Sequence, residues 1–220
     1  MFTRRHFLSG GACLGGIALT GCTTSAQNVI LSSSKATVSN FALNYGARPR
    51  EQFPLPAISS KVLKPQFRRQ RVSFKTSERP GSIIVDTKSF YLYLVEPKGK
   101  AMRYGVGLGR QGFEWSGRAR VLWKQVWPKW TPPDEMIARQ PELEKWSVRN
   151  GGMPPGLNNP LGARALYIFQ GNVDTLYRLH GTTQPESIGK AVSSGCVRLV
   201  NQDVIDLYKR VRTKARILVR

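Results

Sequence analysis

Short runs of hydrophobic positions, separated by Pro- and Gly-rich breaks, fill the chain from Gly81 onward. Ser82–Asp86 (SIIVD) and Phe90–Val95 (FYLYLV) are β-rich, and Ala101–Gly107 follows after Glu96-Pro97-Lys98-Gly99. The Pro and Gly mark a turn, so these runs predict consecutive hairpin strands. Ala119–Trp127 predicts another strand. Ala163–Phe169 and Thr175–His180 alternate about Gln170–Asp174 and predict a further hairpin. Asp134–Trp146 carries helical spacing interrupted at Pro141, and Gly151–Gly162 reads as a long loop. Asn201–Arg212 predicts a helix whose apolar face is Val204, Leu207, Tyr208 and Val211. Asn201 suits its N-cap and Asp203 the positive end of its dipole. Ala215–Val219 predicts a closing strand. The pattern gives one mainly β domain over residues 81–220 with a few short helices.

Residues 1–22 follow another pattern. Arg4 and Arg5 precede an uncharged stretch from Phe7 to Gly21, 15 residues long. A bilayer span needs about 18–20 apolar residues, so this stretch has signal-peptide length instead. Thr3-Arg4-Arg5-His6-Phe7-Leu8 looks like a twin-arginine export signal. Leu19-Thr20-Gly21-Cys22 resembles a bacterial lipobox, with Cys22 as the lipidated residue. The expected location is the periplasmic side of a bacterial envelope, with a lipid anchor in a membrane.

Residues 23–80 read as a flexible basic tether and lead-in. Gln66-Phe67-Arg68-Arg69-Gln70-Arg71 is their densest basic cluster. It fits either a solvated segment or a patch held against an anionic surface.

Charge sharpens the picture. Of 220 residues, 34 are Lys or Arg and 13 are Asp or Glu, a formal net charge of +21. Such a balance calls for a polyanionic neighbour. An exported chain meets peptidoglycan and anionic lipid there, and nucleic acid becomes a poor candidate. The hydrophobic fraction of 40% is enough for a sizeable core and excludes wholesale disorder. Three cysteines, Cys13, Cys22 and Cys196, exclude a disulfide framework.

With the signal removed, Cys196 is the one thiol of the folded domain and His180 the one imidazole. Cys196 sits in Ser193-Ser194-Gly195-Cys196-Val197-Arg198, small residues that suit a tight turn aiming backbone N–H groups. Arg198 adds positive charge, which favours thiolate. His180 ends a predicted strand 16 residues earlier. A cysteine nucleophile needs a base, and imidazole is the best match near neutral pH. One Cys and one His are too few ligands for structural zinc. Trp115, Trp123, Trp127 and Trp130 cluster between residues 115 and 130, as core residues or as the floor or cap of a groove. Trp130, before Thr131-Pro132-Pro133, is the best groove candidate.

His180-Gly181-Thr182, then Ser193-Ser194-Gly195-Cys196-Val197-Arg198-Leu199 with Asn201 and Asp203, resembles the signature of the L,D-transpeptidase catalytic domain. The resemblance covers roughly residues 81–220 and takes in Asn159-Pro160-Leu161-Gly162 as the loop before the catalytic hairpin. It implies a β-sandwich-like domain and an enzyme that cross-links peptidoglycan without metal or organic cofactor. Cys196 would be the nucleophile and His180 its proton acceptor. The Gly181 carbonyl would orient the imidazole, and N–H groups at Gly195 and Cys196 would stabilise the oxyanion. Arg198, Ser194 and Thr182, with Trp130, would contact substrate; for Arg198, a supporting salt bridge is the competing role. Ser194 stands where many members have His, which bears on positioning and acceptor choice. The expected partners are peptidoglycan stem peptides, and possible acceptors include envelope proteins. A Cys hydrolase of envelope peptides and a non-catalytic peptidoglycan-binding lipoprotein are the competing readings.

Overall fold

The computed structural model describes residues 40–109, 116–193 and 196–220. The expectations for Cys22, Trp115, Ser194 and Gly195 therefore lie outside the described residues.

Eleven strands are present among the described residues: β1 (Gln70–Ser73), β2 (Ile83–Asp86), β3 (Tyr91–Glu96), β4 (Lys100–Gly105), β5 (Leu108–Gly109), β6 (Gly117–Val126), β7 (Arg164–Gln170), β8 (Val173–His180), β9 (Ala191–Ser193), β10 (Val197–Arg198) and β11 (Ala215–Val219). Nine of them form one sheet in the order β1-β4-β3-β2-β11-β6-β7-β8-β10, and β5 pairs with β9 in a small parallel sheet. Helices α1 (Asp134–Arg139) and α2 (Asn201–Arg210), with a helical run over residues 40–45, complete the mainly β architecture. Pro141 ends α1 and opens a 3-10 turn over Pro141–Trp146, because proline cannot donate to the preceding turn.

The sheet curls around one core. Strands of a flat sheet lie about 4.8 Å apart, which would separate β4 and β10 by more than 30 Å. Yet Tyr104 on β4 and Val197 on β10 share one cluster of buried side chains with Leu166, Leu179, Val204, Leu207 and Ile217. The two ends also meet through the backbone. The Gly107 N–H donates to the Arg198 carbonyl at 2.9 Å, and the Arg198 N–H donates back at 2.8 Å. Helix α2 presents Val204 and Leu207 to this core, on the face its spacing predicts.

The lead-in departs from expectation. Residues 40–80 pack onto the domain, and the described residues belong to one compact unit. Tyr45, Leu55 and Leu63 are buried. Phe67 fits against Gly105, where a Cβ would lie 2.5 Å from the Phe67 Cβ. β1 then adds to the sheet edge by pairing with β4. Buried ion pairs fix the segment too. Glu51 receives both bonds from the Arg164 guanidinium at 2.8 Å, and the Trp127 indole N–H at 3.1 Å. The basic cluster is therefore neither wholly solvated nor a free patch, since Arg69 is turned inward between Asp203 and Asp206 at 3.5 and 3.2 Å.

Candidate active site

β8 and β10 bring His180 and the Cys196 segment together. They pair in parallel with Val197 opposite Leu179 and Arg198 opposite His180. Val197 and Leu179 point into the core. Strand alternation sends their neighbours to the other face, so Cys196, Arg198, Arg178 and His180 share one side of the sheet edge. The Leu199 N–H donates to the His180 carbonyl at 2.8 Å and extends the pairing.

The imidazole is buried at 4% exposure, and its Nδ1 lies 2.6 Å from the Gly181 carbonyl oxygen. A carbonyl only accepts, so Nδ1 carries the hydrogen in this contact and Nε2 is left with its lone pair. Burial, with the positive charges of Arg198 and Arg178, lowers the His180 pKa from 6.5 to about 4; the Gly181 and Pro160 carbonyls oppose that fall. The ring is a neutral base at neutral pH.

The Cys196 sulfur faces the Leu176 carbonyl at 3.9 Å. Leu176 holds φ of 60° within β8, a left-handed conformation uncommon for leucine, and it interrupts the regular strand there. Burial pushes the Cys196 thiol up, while the Arg178 N–H and the charges of Arg178 and Arg198 pull it down. Cys196 keeps an intermediate exposure, but the surrounding protein atoms solvate a thiolate poorly. Arg198 does pull the thiol down, as its charge led us to expect, but burial outweighs it. The resting pair is neutral thiol and neutral imidazole.

Three loops converge on His180. Asn159 is fully buried. Its amide nitrogen donates to the carbonyls of Pro128, Met153 and Pro154, and its oxygen accepts the Leu161 N–H at 2.9 Å. That bonding shapes the Pro160 segment beside the imidazole. Asn201 ties the end of that loop to the one after His180: its oxygen accepts the Ala163 N–H at 2.9 Å and its nitrogen donates to the Thr182 carbonyl at 3.1 Å. A Cβ on Gly162 or on Gly181 would lie 2.2 Å from that same oxygen, so glycine is required at both. Asn201 is thus not the expected cap. Val200 occupies the N-cap position and α2 has no side-chain cap.

The remaining predicted residues separate. Arg198 reaches the Gln184 side chain at 3.3 Å, a hydrogen bond in place of the salt bridge considered for it. Thr182 is buried, and its hydroxyl accepts the Gln184 N–H at 3.0 Å, so it shapes the turn where an open substrate contact was expected. Trp127 is core, edge-on to Phe53 at 4.9 Å. Trp123 is 53% exposed and stacks on Tyr167 at 4.3 Å. Trp130 is half-buried and pairs through its backbone with Met153. Sequence reasoning overlooked Arg178, although its position two residues before His180 on one strand already placed both on one face.

Residues 80–219 match the family model described as the L,D-transpeptidase catalytic domain (YkuD). The chain belongs to that family, a class of enzymes in peptidoglycan metabolism. It is 30% identical over 190 residues to an Escherichia coli K12 protein described as "Probable L,D-transpeptidase ErfK/SrfK", covering 81% of this chain and 57% of that one. It is 33% identical over 147 residues to "Probable L,D-transpeptidase YbiS" of the same organism, covering 61% and 43%. The chain therefore spans about half the length of these curated relatives. Among solved structures, a Brucella melitensis protein described as "a Probable carnitine operon oxidoreductase caia" is 47% identical with a TM-score of 0.50, covering 70% of this chain and 94% of that one.

Proposed function

We propose that this chain is an L,D-transpeptidase acting through Cys196 and His180 on peptidoglycan tetrapeptide stems. The observation that carries the reading is the shared face of β8 and β10, with His180 held by Gly181 and Cys196 beside Leu176. Cys196 attacks the carbonyl carbon of the third stem residue, a diamino acid, as His180 Nε2 takes the thiol proton. The bond to the terminal D-alanine nitrogen breaks, that amine takes the proton from His180, and a thioester remains. An acceptor amine then attacks the thioester, giving its proton to His180, and the sulfur leaves as thiolate and recovers it. A neighbouring stem gives a 3-3 cross-link; an envelope protein would instead be anchored.

The neutral resting pair fits this sequence, because proton transfer accompanies attack and Arg198 adds positive charge beside the site, while the Arg178 guanidinium is held by Asp174 at 2.6 and 2.8 Å. Arg198, bonded to the neutral Gln184 side chain, is the guanidinium that would meet a substrate carboxylate. Family membership and the thiol–imidazole pair favour acyl transfer over the oxidoreductase wording attached to the Brucella protein. We also propose export, lipidation at Cys22 and residence on the periplasmic face of the envelope, read from residues 1–22.

The test is incubation with purified disaccharide-tetrapeptide, followed by mass analysis. A cross-linked dimer and free D-alanine are expected. A tripeptide product without dimer would assign a carboxypeptidase, and unchanged substrate would leave the non-catalytic lipoprotein.

A further inference from the structure

At the far end of α2 from Asn201 lies a groove of about 480 Å³ lined by Arg79, Arg210, Arg212, Lys214 and Arg216. A ten-residue helix is about 15 Å long, so the groove is distinct from the surroundings of His180. Its two rims are fixed by backbone bonds. The Ser82 N–H closes the Arg79 turn at 3.0 Å, the Ala215 N–H closes the Arg212 turn at 3.1 Å, and the Lys214 N–H donates to the Val121 carbonyl at 2.7 Å.

Helix-dipole stabilisation accounts for only one of the five cations. Arg210 sits in the last turn of α2 and is held by Asp206 at 2.8 Å, with Glu96 at 3.9 Å. Arg212, Lys214 and Arg216 lie beyond the helix, and Arg79 comes from another part of the chain. Among the described residues, no acid lies within ion-pair distance of Arg79, Arg212, Lys214 or Arg216. The neighbouring acids are committed elsewhere: Glu78 to Arg118 at 2.7 Å and Glu96 to Arg71 at 2.6 Å. The sheet adds a further cation, because Arg216 stands directly opposite Arg120 in the β11–β6 register and both are exposed. Like charges directly opposite on neighbouring strands repel. Stability alone gives no reason to keep that arrangement, whereas a bound anion would neutralise it.

We propose that this groove is a binding site for a phosphate group, held by the Arg79, Arg212, Lys214 and Arg216 side chains. Guanidinium forks match phosphate oxygens two at a time, and a preformed rim lowers the entropy lost on binding. The phosphate can belong to a lipid headgroup or to a soluble anion. The site makes no use of Cys196, so it stands or falls independently of the acyl-transfer reading.

The test uses the full chain with Cys22→Ser, so that no lipid is attached. Binding is measured to vesicles of phosphatidylglycerol, to vesicles of phosphatidylcholine and to inorganic pyrophosphate. The phosphatidylcholine arm reports any insertion of the apolar N-terminal stretch. The triple variant Arg212→Glu, Lys214→Glu, Arg216→Glu is compared with Lys61→Glu, Lys64→Glu, Lys75→Glu, an equal change of net charge at other exposed positions. The expected result is at least tenfold weaker phosphate binding in the first variant and less than threefold in the second, with equal rates of Cys196 alkylation showing that both are folded. Binding of pyrophosphate as well as vesicles assigns a soluble anion; binding of phosphatidylglycerol vesicles alone assigns a lipid headgroup. Equal losses in the two variants, or no binding in any anionic arm, overturn the proposal. If the first variant fails to fold, the single changes Arg212→Gln and Arg216→Gln carry the same comparison.

Discussion

The side-chain oxygen of Asn201 accepts the N–H of Ala163 at 2.9 Å, joining the first turn of α2 to the strand that flanks His180. Its nitrogen simultaneously holds the Thr182 carbonyl. Replacing Asn201 by Ala leaves a partly buried N–H and a carbonyl without these partners, a penalty of about 1–3 kcal/mol for each group left unsatisfied. With two such groups, urea unfolding of Asn201→Ala should show a loss of about 2–6 kcal/mol, and acylation of Cys196 should slow because the turn at Gly181 and Thr182 loses its anchor. Gly181→Ala should slow it as well, since the new methyl displaces Asn201. Wild-type acylation rates in both variants would remove Asn201 from the positioning of His180.

His180→Ala should keep the fold, read by circular dichroism, and slow acylation of Cys196 by a carbapenem. Loss of a positioned general base typically costs 10²–10⁴-fold. The readout is the mass gained by the intact protein over time. Cys196→Ala should gain no mass at all. A His180→Ala protein acylated at the wild-type rate would assign the proton to another group.

The pH dependence separates a neutral pair from a preformed ion pair. Because His180 is pushed down to about 4, its imidazole is an available base from about pH 5 upward, and acylation should fall only below that. Because burial raises the thiol above its ordinary value of 9.0, alkylation of Cys196 by iodoacetamide should still be climbing at pH 9. A plateau of alkylation reached near neutral pH would mean a resting thiolate, contrary to the buried environment of the sulfur.

The hairpins, α2 and β11 were legible because each carries its own period of apolar residues. The adjacency of the strand that carries His180 and the strand that follows Cys196 was legible too, because the signature is local. The lead-in was not. Arg68, Arg69 and Arg71 look alike in sequence, yet Arg69 is buried against Asp203, more than a hundred residues later, and no local pattern announces a partner at that distance. Asn201 misled for a related reason. A polar residue at the start of a helix ordinarily caps it. Here the close approach of Gly162 and Gly181 draws its side chain sideways, a demand visible only once three loops are assembled.

The docking of the lead-in should leave a mark on stability against pH. Asp203 is 1% exposed, receives the Tyr45 hydroxyl at 3.2 Å, and is approached by Arg69, with Asp206 and Arg48 adding weaker charge effects. Burial outweighs these partners and raises its carboxyl from 3.8 to about 7. The folded chain therefore holds a proton there that the unfolded chain has released. The contribution to stability is fully present below about pH 4 and is lost as pH rises to about 7. His180 works in the opposite sense, losing stability as pH falls from 6.5 toward 4, so the wild-type profile mixes the two. Asp203→Asn isolates the first, because Asn imitates the protonated carboxyl at every pH and His180 cancels in the difference. Urea unfolding from pH 4.5 to 7.5 should show the Asn variant gaining on the wild type as pH rises, with the gap levelling above pH 7. A gap that stays constant across this range would mean that Asp203 is ionised throughout and that the Arg69 pairing outweighs burial.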